Sequence, residues 1–152
     1  MQSHAEVLDF LSRNPEPPSQ EYAIPVLSIS PQSLASLATS ISPPSGPCIS
    51  LMRILARVRA FCNQKLKIQH VFDTTFARHI ALREHLAEFK ERTQAENSKD
   101  QLPMLASACP GWVCYAEKAH AEMIPFMSRT KSAQQIMGTI VKHWIGAKCG
   151  KK

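Results

Sequence analysis

The chain has 152 residues, enough for one domain with its own core, and its 44% hydrophobic and 20% charged content is ordinary for a globular protein. No apolar run reaches the roughly 18–20 residues a membrane span needs, and Met1-Gln2-Ser3-His4-Ala5-Glu6 lacks the basic region and apolar core of a secretory signal. The net charge of +6 suggests nucleic acid, but Arg78–Arg92 interleaves bases with Glu84, Glu88 and Glu91, and the basic Lys142–Lys152 stretch has no aromatic beyond Trp144, so the distribution argues against a dedicated site.

Apolar positions Val7, Leu8, Phe10 and Leu11 predict a short helix over Ala5–Leu11. Asn14-Pro15-Glu16-Pro17-Pro18-Ser19 then breaks regular structure, because proline lacks an N–H and restricts the residue before it. Ile24–Ile29 predicts a short strand, with Pro25 near its start, where the missing donor is tolerated. Ser30-Pro31 ends the strand and leads, with proline in the first helical turn, into a helix over Gln32–Ile41.

Ser42–Pro47 is a loop by composition, and Leu51, Ile54, Leu55, Val58, Phe61 and Cys62 then form an amphipathic stripe. Ile68–Phe72 predicts a second strand. Asp73 or Thr74 caps the following helix, whose apolar face is expected at Phe76, Ile80, Leu86 and Phe89. After the polar stretch Ala95–Asp100, Leu102–Ala106 predicts a third strand, Pro110-Gly111 a turn, and about Trp112 to Met123 a helix.

Ser132 and Gln135 form a capping-box pair for a last helix with an apolar stripe of Ala133, Ile136, Met137, Ile140, Val141 and Trp144; Gly146 and Gly150 offer stops. Near-continuously apolar strands alternating with helices predict an α/β fold, a parallel sheet flanked by helices. Residues 1–21 are expected as a flexible N-terminal segment, 22–146 as the domain and 147–152 as a basic tail.

Five cysteines, at 48, 62, 109, 114 and 149, are an odd number in a chain without a secretory signal, which favours reduced thiols, metal ligands or buried small hydrophobes over a disulfide framework. No Cys-x-x-Cys occurs, and no histidine has zinc-type spacing with a cysteine. His79 and His85 lie in a charged helix and read as solvated; Trp112 and Trp144 read as core. In open parallel sheets ligands bind at the carboxyl ends of strands. Three such loops follow the predicted strands, and Ser107-Ala108-Cys109-Pro110 places a thiol at a strand end before a helix. A helix N-terminus stabilises a thiolate, and proline after a cysteine recurs in iron–sulfur ligand motifs. On these grounds Cys109 is either a cluster ligand or an inert thiol.

Leu102–Lys118, with Ser107-Ala108-Cys109-Pro110-Gly111-Trp112 at its centre, resembles the iron-only-hydrogenase-like assembly factors of the cytosolic iron–sulfur pathway, the nuclear prelamin A recognition factor-like proteins. Val71–Ala77, Lys131–Gly138 with Lys142, and Ser28–Gln32 are similar to the flanking family segments in consistent order, so the resemblance covers most of residues 22–146. It implies part of one lobe of the iron-only hydrogenase large-subunit fold and a cubane [4Fe–4S] cluster held by four cysteines, with Cys109 matching the first. Cys114 has no ligand counterpart and reads as a packed helix residue; Cys48, Cys62 and Cys149 match no family ligand.

True iron-only hydrogenases carry two adjacent cysteines here, the first relaying protons; Ala108 puts a methyl group in its place, as the assembly factors do. A non-catalytic role is therefore expected, and Glu88 and Ser128, near other proton-path positions, read as ordinary exposed residues. Lys131, Ser132 and Gln134 face the cluster pocket in the family, while the cap already explains Ser132, so both readings stay open. The resemblance further implies transfer of clusters to apoproteins, a targeting complex with a propeller-type adaptor as partner, and the cytoplasm, with the nucleus as a second compartment. The family's ferredoxin-like region precedes a segment like Gln2–Leu8, and its other three core ligands follow the last segment matched, so the chain is expected to be an interior piece of a longer protein. The alternatives are a hydrogenase enzyme and a cofactor-free fragment.

Overall fold

In the computed structural model, which describes residues 4–43, 45–95 and 98–150, contacts gather into two units, Met1–Asp73 and Thr74–Lys152. The first opens with α1 (His4–Arg13), an exposed helix whose Leu11 reaches the core. The proline-rich stretch after it is closed by Asn14, whose Nδ2 donates to the Ala23 carbonyl at 2.7 Å while its Oδ1 accepts from the Ala23 N–H at 2.9 Å.

Strand β1 (Val26–Ile29) runs parallel to β2 (His70–Asp73), in a register that pairs Val26 with His70 and Ile29 with Asp73. Parallel neighbours need a long crossover, and α2 (Pro31–Ile41) and α3 (Leu51–Leu66) provide it. Ser30 caps α2 by accepting from the Ser33 N–H at 3.1 Å, and Pro31 sits where a missing donor costs nothing. Ser42 fastens the α2–α3 loop: its Oγ donates to the Ala38 carbonyl at 2.6 Å and accepts from the Ile49 N–H at 2.9 Å.

The core of this unit is Leu34, Ala38, Ile54, Leu55, Cys62, Ile68 and Val71, with Leu27, Ile29 and Val58 packed against it. Ile54 is 1% exposed, and burying such a side chain contributes about 1.5–3 kcal/mol. Phe61, expected in the stripe of α3, lies exposed instead, whereas Cys62 is buried. Lys67 ends α3 in the left-handed region at φ 57°, with its N–H and that of Ile68 both on the Cys62 carbonyl. The expected α/β character and parallel pairing hold, with two strands in the sheet among the described residues.

The second unit is built on α4 (Thr75–Gln94), followed by α5 (Ser98–Gln101), α6 (Pro110–Ala119), a 3₁₀ helix (Ala121–Phe126), α7 (Ala133–Ile140), a π-helical turn (Val141–Ile145) and α8 (Gly146–Lys148). Three expectations are corrected here. The predicted strand Leu102–Ala106 is reduced to one parallel bridge, Leu105 to Met127. The face of α4 expected at Phe76, Leu86 and Phe89 is exposed, and the buried residues are Ala77, Ala81, Glu88 and Arg92. At about 100° per residue those four fall within about 60° of one another, a narrower stripe than the phenylalanines and leucine make.

Third, Trp144 is 58% exposed and Ile145 is buried. In the π turn the Gly146 N–H bonds the Val141 carbonyl five residues back, adding one residue to the turn and passing the inward position from Trp144 to Ile145. The Lys148 Nζ lies 4.0 Å from the Trp144 ring centroid. The Ser132–Gln135 capping box is present as expected. Among the described residues no helix is long and apolar enough to cross a membrane.

Candidate functional site

Cys109 is the N-cap residue of α6, with extended backbone (φ −94°, ψ 112°) and Pro110 at the first helical position. Its carbonyl accepts from the Val113 N–H at 3.1 Å, while its side chain makes no capping bond and its thiol is exposed. A Cβ placed on Gly111 would stand 3.8 Å from the Cys109 Sγ, so the sulfur lies over the first turn of α6, where unpaired N–H groups favour negative charge. Ala108, also exposed, presents no titratable group beside it.

The loop that carries Cys109 is held from behind. Leu105 donates its N–H to the Phe126 carbonyl and accepts from the Ser128 N–H, each at 2.8 Å, and the Ser107 hydroxyl donates to the Ser128 carbonyl at 2.5 Å. Segment 126–130 is fixed in turn by a buried pair on α4, Glu88 (7% exposed) and Arg92 (4%). Glu88 Oε1 accepts from Arg92 Nη2 at 2.6 Å and Nε at 3.1 Å; Oε2 accepts from the Ser128 hydroxyl at 2.5 Å and the Thr130 hydroxyl at 3.2 Å. The Arg129 N–H reaches both oxygens at 3.1 Å. Arg92 also donates to three backbone carbonyls, Gln101 at 3.2 Å, Phe126 at 3.1 Å and Met127 at 2.6 Å.

Glu88 and Ser128 are therefore buried network members and not the exposed residues the sequence suggests. Burial pushes the Glu88 carboxyl up, but the Ser128 hydroxyl, the Arg129 N–H and Arg92 outweigh it and hold the group down at about 2. The missed signal was the Glu-x-x-x-Arg spacing of 88 and 92, which hydropathy counts as solvent-facing charge. Among the described residues no buried side-chain polar atom lacks a partner.

Cys114 is exposed on α6 and is not the packed helix residue expected; the inward residue there is Ala116. Cys62 is buried, and burial raises its thiol pKa. Lys131 and Gln134 are exposed, while the Ser132 hydroxyl accepts from the Gln135 N–H at 3.3 Å, so its cap role is realised. His85 is half-buried, with Nδ1 2.6 Å from the Ala81 carbonyl, unlike the solvated His79. An open cleft in this unit is lined by Ile80, Glu84, Glu91, Arg129, Lys131 and Ile136, a mixed-charge wall that selects no single ligand charge.

A cubane cluster takes four thiolates. Cys109 fits one such corner, being exposed, unbonded and set over a helix N-terminus. Among the described residues no group of three or more His, Cys, Asp and Glu is placed to hold a metal ion, so the fit that these residues show extends to one donor.

The model of the iron only hydrogenase large subunit, C-terminal domain, matches residues 24–151. Similar proteins include "Cytosolic Fe-S cluster assembly factor NAR1" of Cryptococcus neoformans, 48% identical over 97% of this chain and 24% of that protein. "Cytosolic Fe-S cluster assembly factor narfl" of Danio rerio is 44% identical over 98% of this chain and 35% of its own length. "Cytosolic iron-sulfur assembly component 3" of Mus musculus is 42% identical over 95% and 29% respectively. The chain thus spans between 24% and 35% of the length of these relatives. Among solved structures, an apo [FeFe]-hydrogenase HydA1 from Chlamydomonas reinhardtii superposes with a TM-score of 0.75 at 24% identity, covering 99% of this chain and 35% of that one, a likeness of fold. By the match over 24–151 and by these identities, the chain belongs to the iron-only hydrogenase large-subunit family, in its C-terminal domain.

Proposed function

We propose that this chain serves cytosolic iron–sulfur protein assembly, with Cys109 contributing one thiolate to a [4Fe–4S] cluster that is passed on to target apoproteins. The observation that carries the reading is the exposed Cys109 thiol, set over the first turn of α6 in a loop pinned by Leu105 and Ser107. The names of the similar proteins support the pathway and the compartment, the cytosol. A bound cluster supplies electron transfer and a transferable iron–sulfur unit. What the chain's own residues do is present the thiol and hold its backbone.

The role is non-catalytic with respect to hydrogen. Ala108 offers no proton to a substrate beside Cys109, and Glu88, fully engaged with Arg92, Ser128 and Thr130, is a structural acceptor. The partner class that suits this role is a targeting complex containing a propeller-type adaptor, which hands clusters to recipients.

Anaerobic reconstitution with iron, sulfide and excess 2-mercaptoethanol tests the assignment, because the small thiol can fill coordination positions the chain leaves open. Iron and acid-labile sulfide retained after desalting should fall several-fold in Cys109→Ser and stay unchanged in Cys114→Ser. Equal retention in the wild type and Cys109→Ser overturns it.

A further inference from the structure

We infer that Glu88 and Arg92 are positioning residues for Cys109, acting through segment 126–130 and the Ser107 hydroxyl. The inference rests on the reading of Cys109 as a ligand and adds how the chain keeps that thiol in place. A ligand on a loop is useful to a metal centre only if its backbone is fixed, and a single parallel bridge is a weak restraint. Here the restraint comes from α4. Arg92 binds the carbonyl of Gln101, where the Cys109 loop begins, and those of Phe126 and Met127, against which the loop is bridged. One planar guanidinium thus holds both sides of the loop's attachment, a geometry lysine cannot reproduce.

Glu88 completes the arrangement by orienting Arg92 and gathering Ser128, Arg129 and Thr130. Ser128 then passes the order on, since its backbone N–H bonds the Leu105 carbonyl and its own carbonyl accepts from Ser107, two residues before Cys109. A buried ion pair that only stabilised helix α4 would need none of these long-range bonds. The pair lies four residues apart on one helix, yet most of its hydrogen-bonding capacity is spent on backbone and hydroxyl groups outside that helix.

The experiment reads the loop directly. Amide hydrogen exchange is measured in the 152-residue chain for Leu105–Cys109, with amides around Ala81 in α4 as internal reference, in wild type, Ser107→Ala, Ser107→Thr and Arg92→Lys. Loss of the Ser107 bond should speed exchange of the loop about tenfold with the reference unchanged, and threonine, which keeps the hydroxyl, should restore it. Arg92→Lys should loosen the loop and segment 126–130 together. In the reconstitution assay Ser107→Ala should lower retained iron, and Ser107→Thr should recover it. Loop exchange within about twofold of wild type in Ser107→Ala overturns the inference, as does a threonine variant that behaves like alanine. Unchanged loop exchange in a folded Arg92→Lys overturns it too; should that variant fail to fold, Ser128→Ala, which removes the hydroxyl bond to Glu88, is read in its place with the same expected loosening. Iron retention in Cys109→Ser overturns the ligand reading independently of the exchange result.

Discussion

The Glu88 carboxylate accepts the Ser128 hydroxyl at 2.5 Å across 40 residues of sequence, and among the described residues of the second unit it is the most heavily bonded side chain. Its folded-state pKa is held at about 2, below the ordinary 4.5, so ionised Glu88 stabilises the fold in full above the ordinary value. That contribution fades as pH falls through about 2. It is on the order of 3 kcal/mol, at about 1.4 kcal/mol per pKa unit. Urea unfolding between pH 7 and 2.5 should show stability falling as the solution is acidified below about 4.5, with a shallower slope in Glu88→Gln. At neutral pH, Glu88→Gln should cost about 3–5 kcal/mol, because it leaves the Arg92 charge buried without its partner.

The exposed aromatics of α4 give the opposite expectation. Phe76 is 63% and Phe89 45% exposed, so Phe76→Ser should change the unfolding free energy of this chain by no more than about 0.5 kcal/mol. Ala77→Leu, one residue along at 0% exposure, should cost about 1–3 kcal/mol by overpacking. Denaturant titrations of the two variants distinguish the buried arc of small and charged residues from an apolar face.

Removing the Ser132 hydroxyl breaks one arm of a two-way cap, in which the Ser132 N–H also donates to Gln135 Oε1 at 2.9 Å. Ser132→Ala should lower stability by about 1 kcal/mol and fray the first turn of α7, seen as faster amide exchange at Gln135.

Thiol chemistry separates the cysteines. Cys62 is 3% exposed and its thiol is pushed up by burial, whereas Cys48, Cys109, Cys114 and Cys149 are exposed. Under native conditions iodoacetamide should label the four exposed thiols and leave Cys62 at least about tenfold slower, until denaturant exposes it. Mass spectrometry of the labelled peptides gives each rate.

The sequence made the parallel pair legible because its strands are short apolar runs flanked by turn chemistry, and Ser30-Pro31 and Ser132-x-x-Gln135 mark helix starts by the donors they satisfy. It hid the inner face of α4, since Ala77, Ala81, Glu88 and Arg92 carry no apolar periodicity that a hydropathy count can find. Leu105 is legible as apolar, but only its bonds to Phe126 and Ser128 decide that it is a bridge and not a strand. Trp144 left the expected stripe because the π turn shifts the helical phase by one residue, which spacing alone does not reveal. Cys109 itself was marked by a local motif, while the groups that fix its loop come from residues 88, 92 and 126–130 and are tied to it through tertiary bonds alone.

Both tryptophans, Trp112 and Trp144, lie in the unit Thr74–Lys152, and the unit Met1–Asp73 contains none. Indole emission is therefore an optical label for one half of the molecule, supplied by nature and requiring no dye. Trp144, solvent-facing under the Lys148 ammonium, and Trp112, half-covered on α6, give that label two environments. Circular dichroism follows the helices of both halves at once. Superimposing a fluorescence melt on a dichroism melt thus measures how far the two halves unfold as a single cooperative body.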